Sequence, residues 1–263
     1  MFETLEIDIT AGVATVWMNR PEVHNAFNAQ LIDDIANACR LLDGDPAVRV
    51  MVLAGRGKSF SAGGDLNWMK AAGEASLEDN LKDAQKLAGM LRTLAEMHKP
   101  TLARVHGAAL GGGMGLASAC DICVASDKAI FATSEVRFGL IPATIGPWVI
   151  RAIGERQACR YFQTAERISA ARARDLGLAH EVVAPEELDA KVQELVVALL
   201  QGGPLALSAA KDLIRAISRQ PVSDALVADT ARRIATLRAT PEAREGLSAF
   251  LEKRPANWVP IEQ

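Results

Sequence analysis

The chain has 263 residues, of which 49% are hydrophobic and 23% are charged, with a formal net charge of −3. This length suffices for one large domain, or for one domain and an appendage. Because the net charge is small and both signs are interspersed, the composition argues against a general nucleic-acid or membrane-surface binder. No apolar run reaches the roughly 18 residues of a membrane span, so we expect no transmembrane helix.

The amino-terminal pattern predicts a hairpin, a helix and a buried strand. Strand-like runs at Leu5–Ile9 and Val13–Met18 flank a glycine turn. Asn28 can cap a helix that ends at Gly44, and an apolar strand follows at 48–53. The acidic start leads directly into the first strand and does not resemble a signal peptide, so we expect a cytoplasmic protein.

The middle of the chain alternates helices with strands. Leucines in helical phase between 81 and 94 predict a long helix, which Lys99-Pro100 ends. Strands are expected at 101–105 and 122–125, with a helix that reaches Ala119 between them. This alternation is typical of an α/β fold.

From Pro185 onward the pattern is almost wholly helical. We therefore predict an α/β core at residues 1–200 and a helical region at residues 201–263. Helices outside a finished core usually cover a partner surface, so we expect oligomer contacts there.

The cysteines and histidines do not suggest a metal site. Cys120 and Cys123 form a C-x-x-C pattern, but no second ligand pair accompanies it and the histidines are scattered. We expect the cysteines to be reduced, buried thiols that pack as small hydrophobic groups. They are Cys39, Cys120, Cys123 and Cys159.

Two glycine clusters, Phe60–Leu66 and Gly107–Gly115, each lead from a strand-like run into a helix. Glycine lets a backbone N–H approach a ligand, and a helix start adds N–H groups without partners. Two such groups that converge on one oxygen form an oxyanion hole, which stabilises an enolate-like intermediate. Neither cluster fits a P-loop, since position 52 is valine, or the pattern G-x-G-x-x-G. Tight strand-to-helix turns are the simpler interpretation of either cluster alone.

Chemistry on a carbonyl compound also needs a group that transfers protons. Glu135 is the candidate, because it follows a strand-like stretch and precedes the apolar turn Gly139–Pro142. Partial burial there would raise the pKa of the carboxyl group. A surface glutamate is the alternative interpretation.

Five motifs in chain order carry a family resemblance: Asn19–Ala26, Ser61–Asp65, Gly107–Gly113, Cys120–Ile122 and Phe131–Pro142. With them the chain resembles the enoyl-CoA hydratase/isomerase (crotonase) family over essentially its whole length. The resemblance implies a spiral of ββα units, a C-terminal helical trimerisation region, and homotrimers that commonly pair into hexamers. It also implies an acyl-CoA thioester substrate from fatty acid metabolism or a related pathway. Coenzyme A is then part of the substrate, and no cofactor or metal is expected.

The resemblance assigns roles to individual residues. The backbone N–H groups of Gly64 and Gly112 would form the oxyanion hole, and Glu135 falls on one of two catalytic glutamates. Ten further residues are assigned to substrate binding. Val23 and His24 would flank the nucleotide, and Lys58 and Ala62 would lie near the adenine. Asp65, Leu66 and Trp68 lie at or just after the first glycine cluster and Arg137 follows Glu135, whereas Phe250 and Lys253 would reach a coenzyme A on a neighbouring subunit.

Position 115 departs from the family pattern. Typical hydratases carry the second glutamate two residues past the last glycine of the triplet, where this chain has Gly115. One-glutamate members of the family include Δ3,Δ2-enoyl-CoA isomerases, so a two-carboxylate hydration cannot be assumed. We expect the missing side chain to leave extra room in the pocket.

Finer motifs favour a hydratase. Asp65–Lys70, Met114–Leu116 and Ser134–Ala143 resemble the branch that contains bacterial methylglutaconyl-CoA hydratases of leucine breakdown and isohexenylglutaconyl-CoA hydratases of acyclic terpene breakdown. We therefore predict a lyase that hydrates a branched, glutaconyl-type 2-enoyl-CoA, with an isomerase as the alternative.

Two hypotheses from other classes remain: a non-catalytic scaffold that binds acyl-CoA, and an RNA-binding protein. The basic surface for RNA would be Arg232, Arg233 and Arg238 on an amphipathic helix. This pattern is more typical of a solvated helix face, so we expect no nucleic-acid partner.

Overall fold

The computed structural model describes residues 2–259. Its strands are β1 (Leu5–Thr10), β2 (Val13–Met18), β3 (Val50–Gly55), β4 (Thr101–Val105), β5 (Ala108–Leu110), β6 (Ile122–Ser126), β7 (Ile130–Ala132), β8 (Ile168–Ser169) and β9 (Glu181–Val183). Six of them form one sheet in the order β1-β2-β3-β4-β6-β9, antiparallel between β1 and β2 and parallel elsewhere. A second sheet has the order β5-β7-β8.

Helices follow or separate these strands. They are α1 (Ala29–Gly44), α2 (Leu66–Glu74), α3 (Leu77–Ala95), α4 (Gly112–Ala119), α5 (Gly146–Ile153), α6 (Glu155–Thr164), α7 (Ala170–Asp175), α8 (Leu188–Gln201), α9 (Pro204–Ile217), α10 (Asp224–Arg238) and α11 (Pro241–Glu252). Short 3₁₀ turns lie at Pro21–Val23, Glu135–Phe138 and Pro185–Glu187. The predicted α/β class is confirmed.

Local sequence explains most element boundaries. The Asn28 side chain accepts a hydrogen bond of 2.9 Å from the Leu31 N–H and so begins α1 as predicted. The helix predicted from the leucines between 81 and 94 is α3, which the Ser76 side chain caps. A separate short helix, α2, precedes it and is capped by Asp65.

The third strand differs from its prediction of 48–53. It pairs in parallel with β2 from Val13 opposite Val50 to Met18 opposite Gly55, and this long-range register moves the strand two residues along the chain. All six residues of β3 are buried, as is typical of a central strand in a parallel sheet.

The chain divides into two compact units. The first comprises the residues up to Met97 and Thr101–Gln193, and the second comprises His98–Pro100 and the residues from Glu194 onward. The division falls within α8, whereas the sequence pattern places it after residue 200. The first unit contains both sheets and both glycine clusters.

Three of the four cysteines are buried, as expected, but Cys159 on α6 is exposed. Burial raises the pKa of the Cys123 thiol to about 12, so this group stays protonated. Within residues 2–259, no single helix meets the length and hydropathy criteria for a membrane span. Pro185–Gln201 and Pro204–Ile217 meet them only together, with a bend of 105° between them.

Candidate active site

The first glycine cluster is held in place by Phe27. The Phe27 N–H donates to the Gly63 carbonyl oxygen at 2.6 Å, and the Asp65 N–H donates to the Phe27 carbonyl oxygen at 2.8 Å. This isolated parallel bridge pairs Phe27 with Gly64. Because successive peptide groups of extended backbone point to opposite edges, the Gly64 N–H points away from Phe27. It has no acceptor within residues 2–259.

The second glycine cluster lies beside the first. Ser61 and Ala109 form another parallel bridge, with bonds of 3.0 Å from the Ser61 N–H to the Ala108 oxygen and 2.9 Å from the Leu110 N–H to the Ser61 oxygen. Gly111 then turns the chain into α4 with φ 48° and ψ −116°, a conformation that only glycine adopts without strain. Its N–H donates to the Ala132 oxygen at 2.8 Å.

The helix α4 begins at Gly112, and a first-turn N–H has no partner in its own helix. The Gly112 N–H accordingly has no acceptor in the part of the chain that the structure describes. A Cβ placed on Gly112 would lie only 1.8 Å from Cε2 of Phe27, so the Phe27 ring packs directly on this residue. The two clusters thus present two free N–H groups, one from Gly64 and one from Gly112.

Glu135 lies next to these loops, at the start of the 3₁₀ turn Glu135–Phe138. Its Oε1 is 3.2 Å from the position that a Cβ on Gly111 would take, and its Oε2 is buried without a hydrogen-bond partner among residues 2–259. Burial raises the pKa of this carboxyl group, and backbone N–H groups of Glu135 and Ser134 oppose the rise only in part. A carboxyl group with a raised pKa and a free oxygen is suited to general acid–base catalysis.

The raised pKa has a consequence for stability. The folded chain keeps the Glu135 proton to a higher pH than the unfolded chain does, so ionisation of this group costs folding free energy as the pH rises from about 4.3 through the native pKa. Glu135→Gln removes that cost. We expect the variant to gain stability over the wild type in urea unfolding as the pH rises above about 4.3. A stability difference that does not change with pH would contradict this.

Position 115 is more crowded than the sequence suggested. A Cβ on Gly115 would lie 2.4 Å from Cγ2 and 2.9 Å from Cβ of Ile145, with Cδ2 of Leu91 at 3.6 Å. Ile145 is 2% exposed. The expectation of extra room is therefore wrong at this position, because an isoleucine from the start of α5 fills the space that a longer side chain would enter.

This packing predicts a pair of substitutions with unequal effects. Gly115→Glu should destabilise the fold by about 1–3 kcal/mol through overpacking. Adding Ile145→Gly should recover part of that loss, since it removes the atoms that the new side chain would meet. Urea unfolding of both variants and of Ile145→Gly measures the coupling. Additive losses would show that the two positions do not compete for space.

Asp65 supports the first cluster. Its Oδ1 accepts from the N–H groups of Asn67 and Trp68, and its Oδ2 pairs with the Arg20 guanidinium at 2.9 Å. Burial opposes ionisation of Asp65, but these donors outweigh it and lower its pKa. The carboxylate is thus engaged in capping α2, although the resemblance assigned Asp65 to substrate binding.

The residues predicted to flank the nucleotide also meet the first cluster. The Ala62 N–H donates to the His24 oxygen at 3.0 Å, and His24 Nδ1 is 3.1 Å from Ser59 Oγ. Val23 is half-buried and Lys58 is exposed. The hydrogen bond between Ala62 and His24 therefore joins the Val23–His24 segment to the first glycine cluster, which Lys58 precedes by two residues.

The other predicted residues differ in how close they lie to the glycine clusters. Trp68 lies beside the first cluster, since its Cε3 is 3.4 Å from the position that a Cβ on Gly64 would take, and its indole donates to Asp83 at 3.2 Å. Leu66 is 82% exposed. Arg137 is exposed, and its guanidinium donates to the Ala165 oxygen at 3.1 Å.

Phe250 and Lys253 belong to the second unit, at the end of α11. Phe250 is 80% exposed, and Lys253 ends the helix with φ 55°. Their assignment to coenzyme A binding stays a prediction.

A surface cavity of about 450 Å³ lies on α6 and α7, away from the predicted site residues in sequence. It is lined by Arg156, Gln157, Cys159, Arg160 and Arg172. Arg160 pairs there with Glu166, and Arg172 donates to the Tyr161 hydroxyl and to Gln157. No predicted site residue lines this cavity.

Comparison with known proteins agrees with this arrangement. The family model Enoyl-CoA hydratase/isomerase matches residues 8–260. A crotonyl-CoA hydratase of Syntrophomonas wolfei is 33% identical over 98% of each chain. An enoyl-CoA hydratase from Shewanella pealeana superimposes with a TM-score of 0.95 at 38% identity, covering 98% of this chain and 97% of that one. Pseudomonas aeruginosa AtuE gives a TM-score of 0.94 at 34% identity, covering 98% of this chain and 100% of that one.

These matches extend over nearly the whole chain, and the two superpositions show that the solved structures share its fold. The chain belongs to the enoyl-CoA hydratase/isomerase family, that is, the crotonase family.

Proposed function

We propose that this chain hydrates a 2-enoyl-CoA thioester, and that the acyl group is branched and of the glutaconyl type, such as 3-methylglutaconyl or isohexenylglutaconyl. The observation that carries the hydratase proposal is the combination of two free N–H groups, from Gly64 and Gly112, with the partly free carboxyl group of Glu135. This combination suits a reaction that builds negative charge on a carbonyl oxygen and moves a proton nearby.

The proposed reaction begins with the thioester oxygen accepting hydrogen bonds from Gly64 and Gly112. A water oxygen adds to C3 as the Glu135 carboxylate takes a proton from it, and the C2–C3 π electrons move to give an enolate. The two N–H groups stabilise the enolate oxygen, and one lost donor of this kind costs about 10²–10³-fold in turnover. Glu135 then returns the proton to C2, so the elements of water are added and the carboxylate is restored.

The choice of acyl group rests on the resemblance of Asp65–Lys70 and Ser134–Ala143 to the glutaconyl branch, because Ile145 fills the space beside Gly115 that could have received a branched chain. Arg137 lies two residues after Glu135, and Lys70 is exposed on α2. Either cation could bind the distal carboxylate of a glutaconyl group. We expect crotonyl-CoA, which lacks that carboxylate and the branch, to be the poorer substrate.

Isomerisation is the second candidate, and a specific observation favours it. The nearest neighbours of position 115 are the apolar side chains of Ile145 and Leu91, so this position offers no second carboxyl group to act beside Glu135. An isomerase needs only one such group to carry a proton between two carbons.

The decisive experiment follows the products of crotonyl-CoA, 3-methylglutaconyl-CoA and a 3-enoyl-CoA in ¹⁸O-labelled water. Label at C3 of the product supports hydration, and faster turnover of the glutaconyl thioester supports the proposed acyl group. A shifted double bond without label would replace the hydratase proposal by the isomerase. Binding without turnover would indicate a scaffold.

We also propose a homotrimer or a hexamer in the cytoplasm. Large apolar side chains exposed on the second unit support the oligomer, since such surface usually meets a partner. They are Val197, Leu205, Ile214, Val222, Val227, Ile234, Leu247, Phe250 and Leu251. Sedimentation equilibrium distinguishes these states.

RNA binding gains no support from Arg233, which pairs with Asp229 at 2.7 Å on the same helix.

A further inference from the structure

We infer that Phe27 is a positioning residue that holds both backbone donors of the site, a role that rests on the proposed function. No motif in the sequence singled out this side chain. It contacts both glycine positions: its main chain bridges to Gly64 and its ring packs on Gly112.

The main-chain contact fixes the direction of the first donor. Hydrogen bonds of 2.6 Å to the Gly63 oxygen and 2.8 Å from the Asp65 N–H lie on either side of Gly64. The peptide groups on both sides are therefore held, and the intervening Gly64 N–H cannot turn toward Phe27 without breaking one of these bonds.

The ring contact fixes the position of the second donor. The space that a Cβ on Gly112 would take is 1.8 Å from Cε2 and 2.2 Å from Cδ2 of Phe27. The ring is 1% exposed, so it is clamped by the surrounding core and cannot move aside freely. It supports the first residue of α4 from the side on which glycine leaves an opening.

This double contact matters because both donors must reach the same oxygen at about 2.7–3.1 Å. A smaller side chain at position 27 leaves the ring's place at Gly112 empty. The start of α4 can then shift relative to the Gly64 loop, and a displacement of about 1 Å is enough to cost a large part of the rate. The loss should fall on kcat, since the donors act mainly on the charge that develops in the transition state.

The test compares Phe27→Leu with Leu42→Ala, a core truncation at a residue that is 0% exposed in α1 and belongs to neither glycine cluster. With 3-methylglutaconyl-CoA, we expect Phe27→Leu to lower kcat at least about 10-fold with KM within about threefold. Leu42→Ala should lower the melting temperature at least as much, yet retain most of its kcat. Equal effects on kcat would overturn the inference. If Phe27→Leu does not fold, Phe27→Met carries the same comparison.

A spectroscopic readout separates positioning from general stability. In a Glu135→Gln background, which should bind the thioester without turnover, the carbonyl stretch of bound 3-methylglutaconyl-CoA should lie below that of the free thioester. Adding Phe27→Leu should move the band back toward the free value, whereas adding Leu42→Ala should not. If adding Phe27→Leu leaves the carbonyl band of the Glu135→Gln parent unmoved, the inferred role of Phe27 is refuted while the proposed function stands. Absence of any shift in the parent variant would overturn the proposed function as well.

Discussion

Glu135→Gln should lower turnover by about 10²–10⁴-fold, the usual contribution of a general acid–base group, while acyl-CoA binding is kept. The amide is close in size to the carboxyl group, so the fold should persist. The Oε2 atom is buried without a partner in residues 2–259, and hence no protein hydrogen bond at that oxygen is lost. The measurement is kcat with 3-methylglutaconyl-CoA, together with calorimetric binding of the same thioester.

Glu186→Gln provides the matched control, because Glu186 is an exposed glutamate on another 3₁₀ turn of the same unit. It should leave kcat and binding unchanged. If Glu135→Gln retained near wild-type turnover, Glu135 would not be the proton-transfer group, and another group would have to supply that step.

Gly112→Ala should be the second severe substitution, with losses of both activity and stability. The new Cβ would lie 1.8 Å from the Phe27 ring, so the ring or the start of α4 must move. We expect about 1–3 kcal/mol of destabilisation from overpacking, and about 10²–10³-fold lower kcat if the Gly112 donor is displaced. Urea unfolding and steady-state kinetics measure the two effects.

Gly89→Ala is the control for the same chemical change. Gly89 lies within α3, and a Cβ there meets nothing within 4 Å. It should stabilise the chain by up to about 1 kcal/mol, because alanine favours the helix, and leave kcat unaltered.

In a Phe27→Leu background, Gly112→Ala should cost less stability than it does in the wild type, because the smaller side chain leaves room for the new Cβ. An undiminished loss would mean that the ring is not what the new Cβ meets.

The sequence alone predicted the local features of this protein. The opening hairpin, the Asn28 cap of α1 and the helical final third follow from patterns within about one element's length, which propensity and capping decide. The glycine clusters and Glu135 were also identifiable, because their chemistry depends on residue type and on the order strand, loop, helix.

Tertiary structure decided what depends on contacts between distant residues. Pairing with β2 determines where β3 begins and ends, two residues beyond the position that the sequence pattern predicted. The strand β5 has only three residues, which is too short for a periodic signal. Ile145 fills the space beside Gly115, and the Phe27 ring packs on Gly112. Neither contact has a signature in local sequence, since each joins segments that meet only after the core has packed. The sequence therefore identified the groups that could do chemistry, whereas the fold determined the space around them and the residues that hold them.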